Sequence, residues 1–255
     1  QVLLMPGEKS VFQLNAELEQ NLRRQRTARW KKLNEEQRRA VVRKVISPLS
    51  ESGTAPGEEP LKKPSCESVG TIQRDGYVIE KLILTEGSSI LLPALAFVPT
   101  KPTGKACLYL HGTSMKADAL PGGAIEALVK QGQIVLAAEL RGIGETETGH
   151  DKRGWGRGHF GGDVQDVLLA YLIGQSYVGL RTDDALAWSR FLAEFRTRGD
   201  RANRIHLVAT GEAGIPALHA AALEPEGFTS VHVKNMIRSW SEVVSSPRHR
   251  NQARS

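Results

Sequence analysis

Residues 204–222 form the one stretch of this sequence built like a catalytic device. Arg204-Ile205-His206-Leu207-Val208-Ala209-Thr210 is a short apolar run that reads as a buried strand. Gly211-Glu212-Ala213-Gly214 turns the chain through small residues, and the alanine-rich segment from Ile215 to Ala222 has helical composition. Strand, sharp turn and helix in that order expose the residue at the apex, and the pattern Gly-x-Ser-x-Gly places a nucleophilic serine there. The flanking residues must be small because strand and helix approach closely and a larger Cβ would collide. Here the matching five residues are Ala209-Thr210-Gly211-Glu212-Ala213, so the apex is Gly211. A glycine has nothing with which to attack a carbonyl. The element that presents a nucleophile is predicted, and the nucleophile is missing.

Other residues suggest weaker chemistry. His111-Gly112 ends an apolar run, and Ser114 follows in the next loop. A serine hydroxyl needs a base within hydrogen-bond reach, and His111 and His159 are the nearest by topology. His206 in a strand and His219 in a helix read as packed side chains. His150, Asp151, His159 and Asp163 match no usual metal spacing, so neither a metal nor a cofactor is expected. The run Gly154 to Gly162 lacks the lysine and the strand-before, helix-after setting of a phosphate loop and reads as a flexible cleft loop. Cys66 and Cys107 stand far apart and define no disulfide framework; Cys107, inside an apolar strand, is expected to be an inert core thiol.

The elements that would position these groups follow from pattern and punctuation. Leu14 to Trp30 has helical composition, and Asn34 with Gln37 fits a capping box that opens a second helix to about Ile46. Gly, Pro, Ser and Glu then mark a linker. Segments 76–84 and 90–98 read as an antiparallel hairpin, with Pro93 placing the second strand at an edge or a bulge. Strands at 106–110 and 134–138 alternate with helices at 124–130 and 163–173, the latter with Asp163 as a candidate cap. A further helix is expected to begin at Thr182 or Asp183 and run to Phe195, and a last strand is expected over 229–237. Continuous apolar strands alternating with helices argue for an α/β fold: a mostly parallel sheet with helices on both faces. The organisation expected is an N-terminal helical segment (1–49), a linker (50–68) and an α/β domain (69–255).

The chain has 255 residues and a net charge of +6, and no apolar run spans a bilayer. The charge is concentrated: residues 17–44 carry ten Lys/Arg against four Asp/Glu. Such a segment reads first as a solvated helix face. Aromatic residues are only 5% and no nucleic-acid motif is present, so nucleic acid is not an expected partner.

The motif order resembles the α/β-hydrolase superfamily and, more narrowly, bacterial acetylxylan-esterase-like proteins. The likeness rests on Leu108-Tyr109-Leu110-His111-Gly112, on Leu140-Arg141-Gly142-Ile143-Gly144-Glu145-Thr146 and on Gly211 to Ala222, with lesser support from Ile237-Arg238-Ser239-Trp240. It implies a carboxylic-ester hydrolase domain, with an ester or an acetylated carbohydrate as substrate, and slightly favours a location outside the cytoplasm. It implies that the backbone N–H groups of Thr113, after the His111-Gly112 pair, and of Glu212 form an oxyanion hole, and that Arg141, Gly142 and Gly144 shape the neighbouring loop. The departures are Gly211 in place of serine, Glu139 in place of the usual aspartate before the Arg-Gly loop, and too few residues after Ile237 for the strands that carry the acid and histidine. The expectation is an inactive chain, incomplete on its C-terminal side and able to dimerise through an exposed sheet edge. The alternatives are a non-catalytic binding or scaffold domain and a fragment of a longer tandem hydrolase.

Overall fold

The computed structural model describes residues 7–46, 65–86, 90–147, 164–197, 200–201 and 204–245. In chain order these form α1 (Val11–Lys31), α2 (Glu35–Ile46), β1 (Ser65–Arg74), β2 (Tyr77–Glu86), β3 (Ile90–Pro99), β4 (Lys105–His111), α3 (Ala124–Lys130) and β5 (Ile134–Ala138). Then follow α4 (Val164–Leu172), α5 (Tyr177–Glu194), the two-residue pair β6 (Arg196–Thr197) and β7 (Asp200–Arg201), β8 (Arg204–Thr210), α6 (Gly214–Leu223), β9 (Ser230–Lys234) and α7 (Trp240–Ser245).

The main sheet is seven-stranded, in the order β1-β2-β3-β5-β4-β8-β9. Its first half is antiparallel, β1 on β2, β2 on β3 and β3 on β5. Its second half, β5, β4, β8 and β9, is parallel. Crossovers through helices cover both faces, so the central strands carry apolar side chains on successive residues rather than alternate ones. Every residue of β5 is buried, as are Ala106 to Leu110 of β4. One face packs Leu108, Leu110, Leu136, Leu207 and Ala209 against Trp188 and Leu192 of α5 and Ala217 and Ala220 of α6. The other packs Cys107, Tyr109, Val135 and Ala137 against Ile125 and Val129 of α3. Burial pushes the Cys107 thiol up to about 12, which leaves it unreactive at neutral pH.

Both N-terminal helices open on reciprocal caps. The Gln13 N–H donates to Ser10 Oγ at 3.3 Å and the Ser10 N–H to Gln13 Oε1 at 2.7 Å. The Gln37 N–H donates to Asn34 Oδ1 at 2.9 Å, as the sequence predicts, and the Asn34 N–H to Gln37 Oε1 at 3.0 Å. α2 buries Ile46 in the main core, whereas α1 buries no side chain and rests on α7, where the Ser241 hydroxyl donates to Glu19 at 2.5 Å.

Several expectations are corrected. β1 was not predicted; it pairs along β2 from Ser65 to Arg74, so the hairpin is part of a three-stranded meander. β3 is internal, between β2 and β5, so Pro93 is not on an edge. The Pro93 carbonyl accepts from the Glu139 N–H, and the β3–β5 ladder begins only at Ala94 opposite Ala138. The donor that proline lacks would therefore face the side on which β5 has already ended. α5 starts at Tyr177, capped by the Ser176 hydroxyl accepting from the Gly179 N–H, not at Thr182 or Asp183, which are buried in its interior. The last strand is shorter than expected, Ser230–Lys234. Asp163 and the Gly154–Gly162 loop lie outside the described residues. Among the described residues no helix is long and apolar enough to cross a membrane.

Candidate active site

The site forms where the parallel strands β4 and β8 end side by side. His111 pairs with Thr210 in register, and the Gly112 N–H continues the ladder by donating to the Thr210 carbonyl at 2.8 Å. The chain leaves β8 at Gly211, makes one short 3₁₀ turn over Gly211–Ala213 and enters α6 at Gly214. Position 211 is therefore the bend between a central parallel strand and its following helix, and its φ is +65°. Only glycine adopts that conformation freely. A Cβ built at Gly211 would meet nothing nearer than the Gly112 Cα at 3.9 Å, so the apex is an open position on a backbone already shaped to present a side chain.

Gly112 is crowded instead. A Cβ there would stand 2.6 Å from the Glu212 backbone nitrogen and 3.0 Å from the Thr210 carbonyl. Its missing side chain lets the β4 loop lie against the turn. Gly214 lets Met236 cover the start of α6 in the same way, since a Cβ would be 2.8 Å from the Met236 sulfur. The Glu212 backbone nitrogen thus lies beside Gly112. The Thr113 N–H is engaged in this conformation, donating to His111 Nδ1 at 3.2 Å, with Thr113 Oγ1 at 2.9 Å from the same nitrogen. The exposed Thr113 and the half-buried His111 cover one another.

The Arg-Gly loop after β5 is fixed from two directions. Arg141 donates to Asp184 of α5 through its backbone N–H at 2.8 Å and its Nε at 2.9 Å, and its terminal nitrogen completes a fork on the same carboxylate. Asp184 is wholly buried. Arg181, also buried, donates to the Arg141 carbonyl at 2.9 Å and the Gly142 carbonyl at 3.3 Å. Gly142 (φ +70°) lies against the Tyr177 hydroxyl and Gly144 (φ +65°) against the Glu139 carboxylate, so a Cβ at either would overlap them.

The structure brings Gly211, Glu212, Gly112, Thr113 and His111 together, with Arg141, Gly142 and Gly144 in the adjoining loop. It takes Ser114 to Glu139, at 3.1 Å, rather than to a histidine. His206 lies in β8 with its Nδ1 2.8 Å from the Ser230 hydroxyl, and His219 sits half-buried in α6, where burial lowers its affinity for a proton. His150, Asp151 and His159 lie outside the described residues. Among the described residues no cluster of His, Cys, Asp or Glu could hold a metal ion. Arg181 and Asp184 are the positioning groups that reading by pattern missed. Their signal is the polar run Arg181-Thr182-Asp183-Asp184, which on pattern alone reads as a helix start.

No protein-family model and no curated protein matches this chain. Solved structures do. A candidate acetyl xylan esterase from Bacteroides fragilis superposes with a TM-score of 0.57 at 16% identity, over 77% of this chain and 51% of its own length. The methylesterase BT1017 superposes with a TM-score of 0.51 at 14% identity, over 77% of this chain and 39% of its own. The chain thus spans about half the length of the first of these and less of the second. With its mixed sheet, its helices on both faces and its strand–turn–helix at position 211, this chain has the α/β-hydrolase fold and is similar in structure to this candidate acetyl xylan esterase and this methylesterase.

Proposed function

We propose that this chain is a carboxylic-ester hydrolase domain of the acetylxylan-esterase-like kind whose ester-cleaving centre is disabled at Gly211. One observation carries the reading: the backbone at 211 has the bend and positive φ that present a nucleophile, over open space, and no side chain is there. The Glu212 nitrogen beside Gly112 supports it, since it lies where the resemblance puts an oxyanion donor. Loss of the nucleophile from a serine hydrolase lowers turnover by about 10⁶. Hydrolysis of p-nitrophenyl acetate and of acetylated xylan by the purified chain is expected to equal buffer. Saturable turnover above buffer would overturn the proposal.

A second reading, a domain that binds acylated carbohydrate without cutting it, is favoured by the open position over Gly211. Calorimetry with acetylated and deacetylated xylo-oligosaccharides separates the two, since only this reading expects heat from the acetylated form alone. Self-association through a sheet edge belongs to the same proposal. Among the described residues β9 ends the sheet, and it exposes His232 and Lys234. Light scattering that reports only a monomer would remove that part.

A further inference from the structure

The loops after β4 and β5 meet on one buried side chain. Glu139 follows β5 and is completely buried. Its Oε1 accepts the Ser114 hydroxyl at 3.1 Å and the Met115 N–H at 3.2 Å, both from the first loop. Its Oε2 accepts the Glu145 N–H at 2.6 Å, from the second. Its own main chain is held by two further elements. The Glu139 N–H donates to the Pro93 carbonyl of β3 at 3.0 Å, and the Trp188 indole N–H of α5 donates to the Glu139 carbonyl at 3.3 Å. At the surface a Lys116–Glu145 ion pair joins the same two loops.

We infer that Glu139 is the positioning residue of the candidate site: it couples loop 112–118, which abuts position 211, to loop 141–147, so that the two are ordered or released as one unit. Donors from both loops converge on one carboxylate. Taking the acceptor away leaves buried donors without partners on both sides at once, a cost neither loop meets alone. The coupling rests on the proposed function only in taking position 211 as the centre of the site.

Burial and hydrogen bonding act on the ionisation of Glu139 in opposite directions. The charged groups facing Glu139 are Glu145 from the second loop, which opposes its ionisation, and Lys116 from the first, which favours it. β3 and α5 reach it through the Pro93 carbonyl and the Trp188 indole. Burial outweighs the hydrogen bonds and pushes the Glu139 carboxyl above the usual glutamate range. Released loops would return the carboxylate to water and its ordinary value. The coupled state is therefore favoured by protonation and weakened as pH rises through the raised value.

Hydrogen exchange on the full chain tests this. Glu139→Ala takes the acceptor from the donors of both loops at once. Protection of 112–118 and 141–147 is expected to fall together, by about tenfold, while amides of β4 and β8 keep theirs. In the unaltered chain both loops are expected to lose protection by the same factor as pH rises, after correction for intrinsic exchange, and in Glu139→Ala that dependence is expected to vanish. Loops that respond separately, or an unchanged pH dependence in the variant, would overturn the coupling. If Glu139→Ala fails to fold, the pH series on the unaltered chain decides alone, since unequal factors in the two loops refute it. No ester enters the measurement, so this result and the hydrolysis result stand or fall apart.

Discussion

At the scale of single residues, two glycines at the site are glycine for opposite reasons. Gly211 is required by its backbone, at φ +65°, and not by its surroundings. Gly112 is required by its surroundings, with the Glu212 nitrogen 2.6 Å from where a Cβ would go. Gly211→Ser should therefore fold and lose only the left-handed penalty, about 1–2 kcal/mol. Gly112→Ala drives a methyl into two backbone groups that cannot swing away and should cost more, up to about 3 kcal/mol. Urea titration of the two variants gives the ordering, and a Gly112→Ala chain as stable as Gly211→Ser would show that the β4 loop yields. The glycine at position 211 was legible because it rests on residue type alone. The closeness of Gly112 to the turn was not, because it depends on the register of β4 against β8, which no local pattern encodes.

At the scale of elements, the Arg-Gly loop beside position 211 is held chiefly by α5. The Arg141 fork on Asp184 ties the Arg-Gly loop to the middle of α5. Asp184→Ala leaves a partly buried guanidinium without its carboxylate and is expected to cost about 3 kcal/mol. Chemical denaturation measures the cost, and a loss below about 1 kcal/mol would mean that the Arg181 contacts hold the loop unaided. Apolar runs, Pro-Gly punctuation, the cap at Asn34 and the small-residue turn at Gly211 made most elements readable from the chain. The exceptions have physical causes. β1 has no fully buried residue and takes its place from its ladder to β2, so it carries no core-facing signal of its own. Within α5, the polar run from Arg181 to Asp184 imitates a helix start because Arg181 and Asp184 find their partners in a loop about forty residues away in sequence.

At the scale of the whole molecule, two glutamates bend the dependence of stability on pH in opposite senses. Glu126 of α3 is held by the Lys130 ammonium at 2.9 Å, the Gly122 N–H at 2.8 Å and the Tyr77 hydroxyl of β2 at 3.0 Å, and these bring its carboxyl down to about 2. A folded value below the unfolded one gives stability that is present above the ordinary glutamate range and is lost as pH falls toward about 2. Glu139 is raised by burial, so its contribution is present below the ordinary range and is lost as pH rises through its folded value. The two together predict a stability maximum near the ordinary glutamate pKa, with an acid limb set in part by Glu126 and an upper limb set in part by Glu139. Urea midpoints measured across pH should show Glu126→Gln flattening the acid limb and Glu139→Gln the upper one. A Glu139→Gln chain whose stability still declines above that range as steeply as the parent would mean that the carboxylate is stabilised where it lies, with the hydrogen bonds from Ser114, Met115 and Glu145 outweighing its burial.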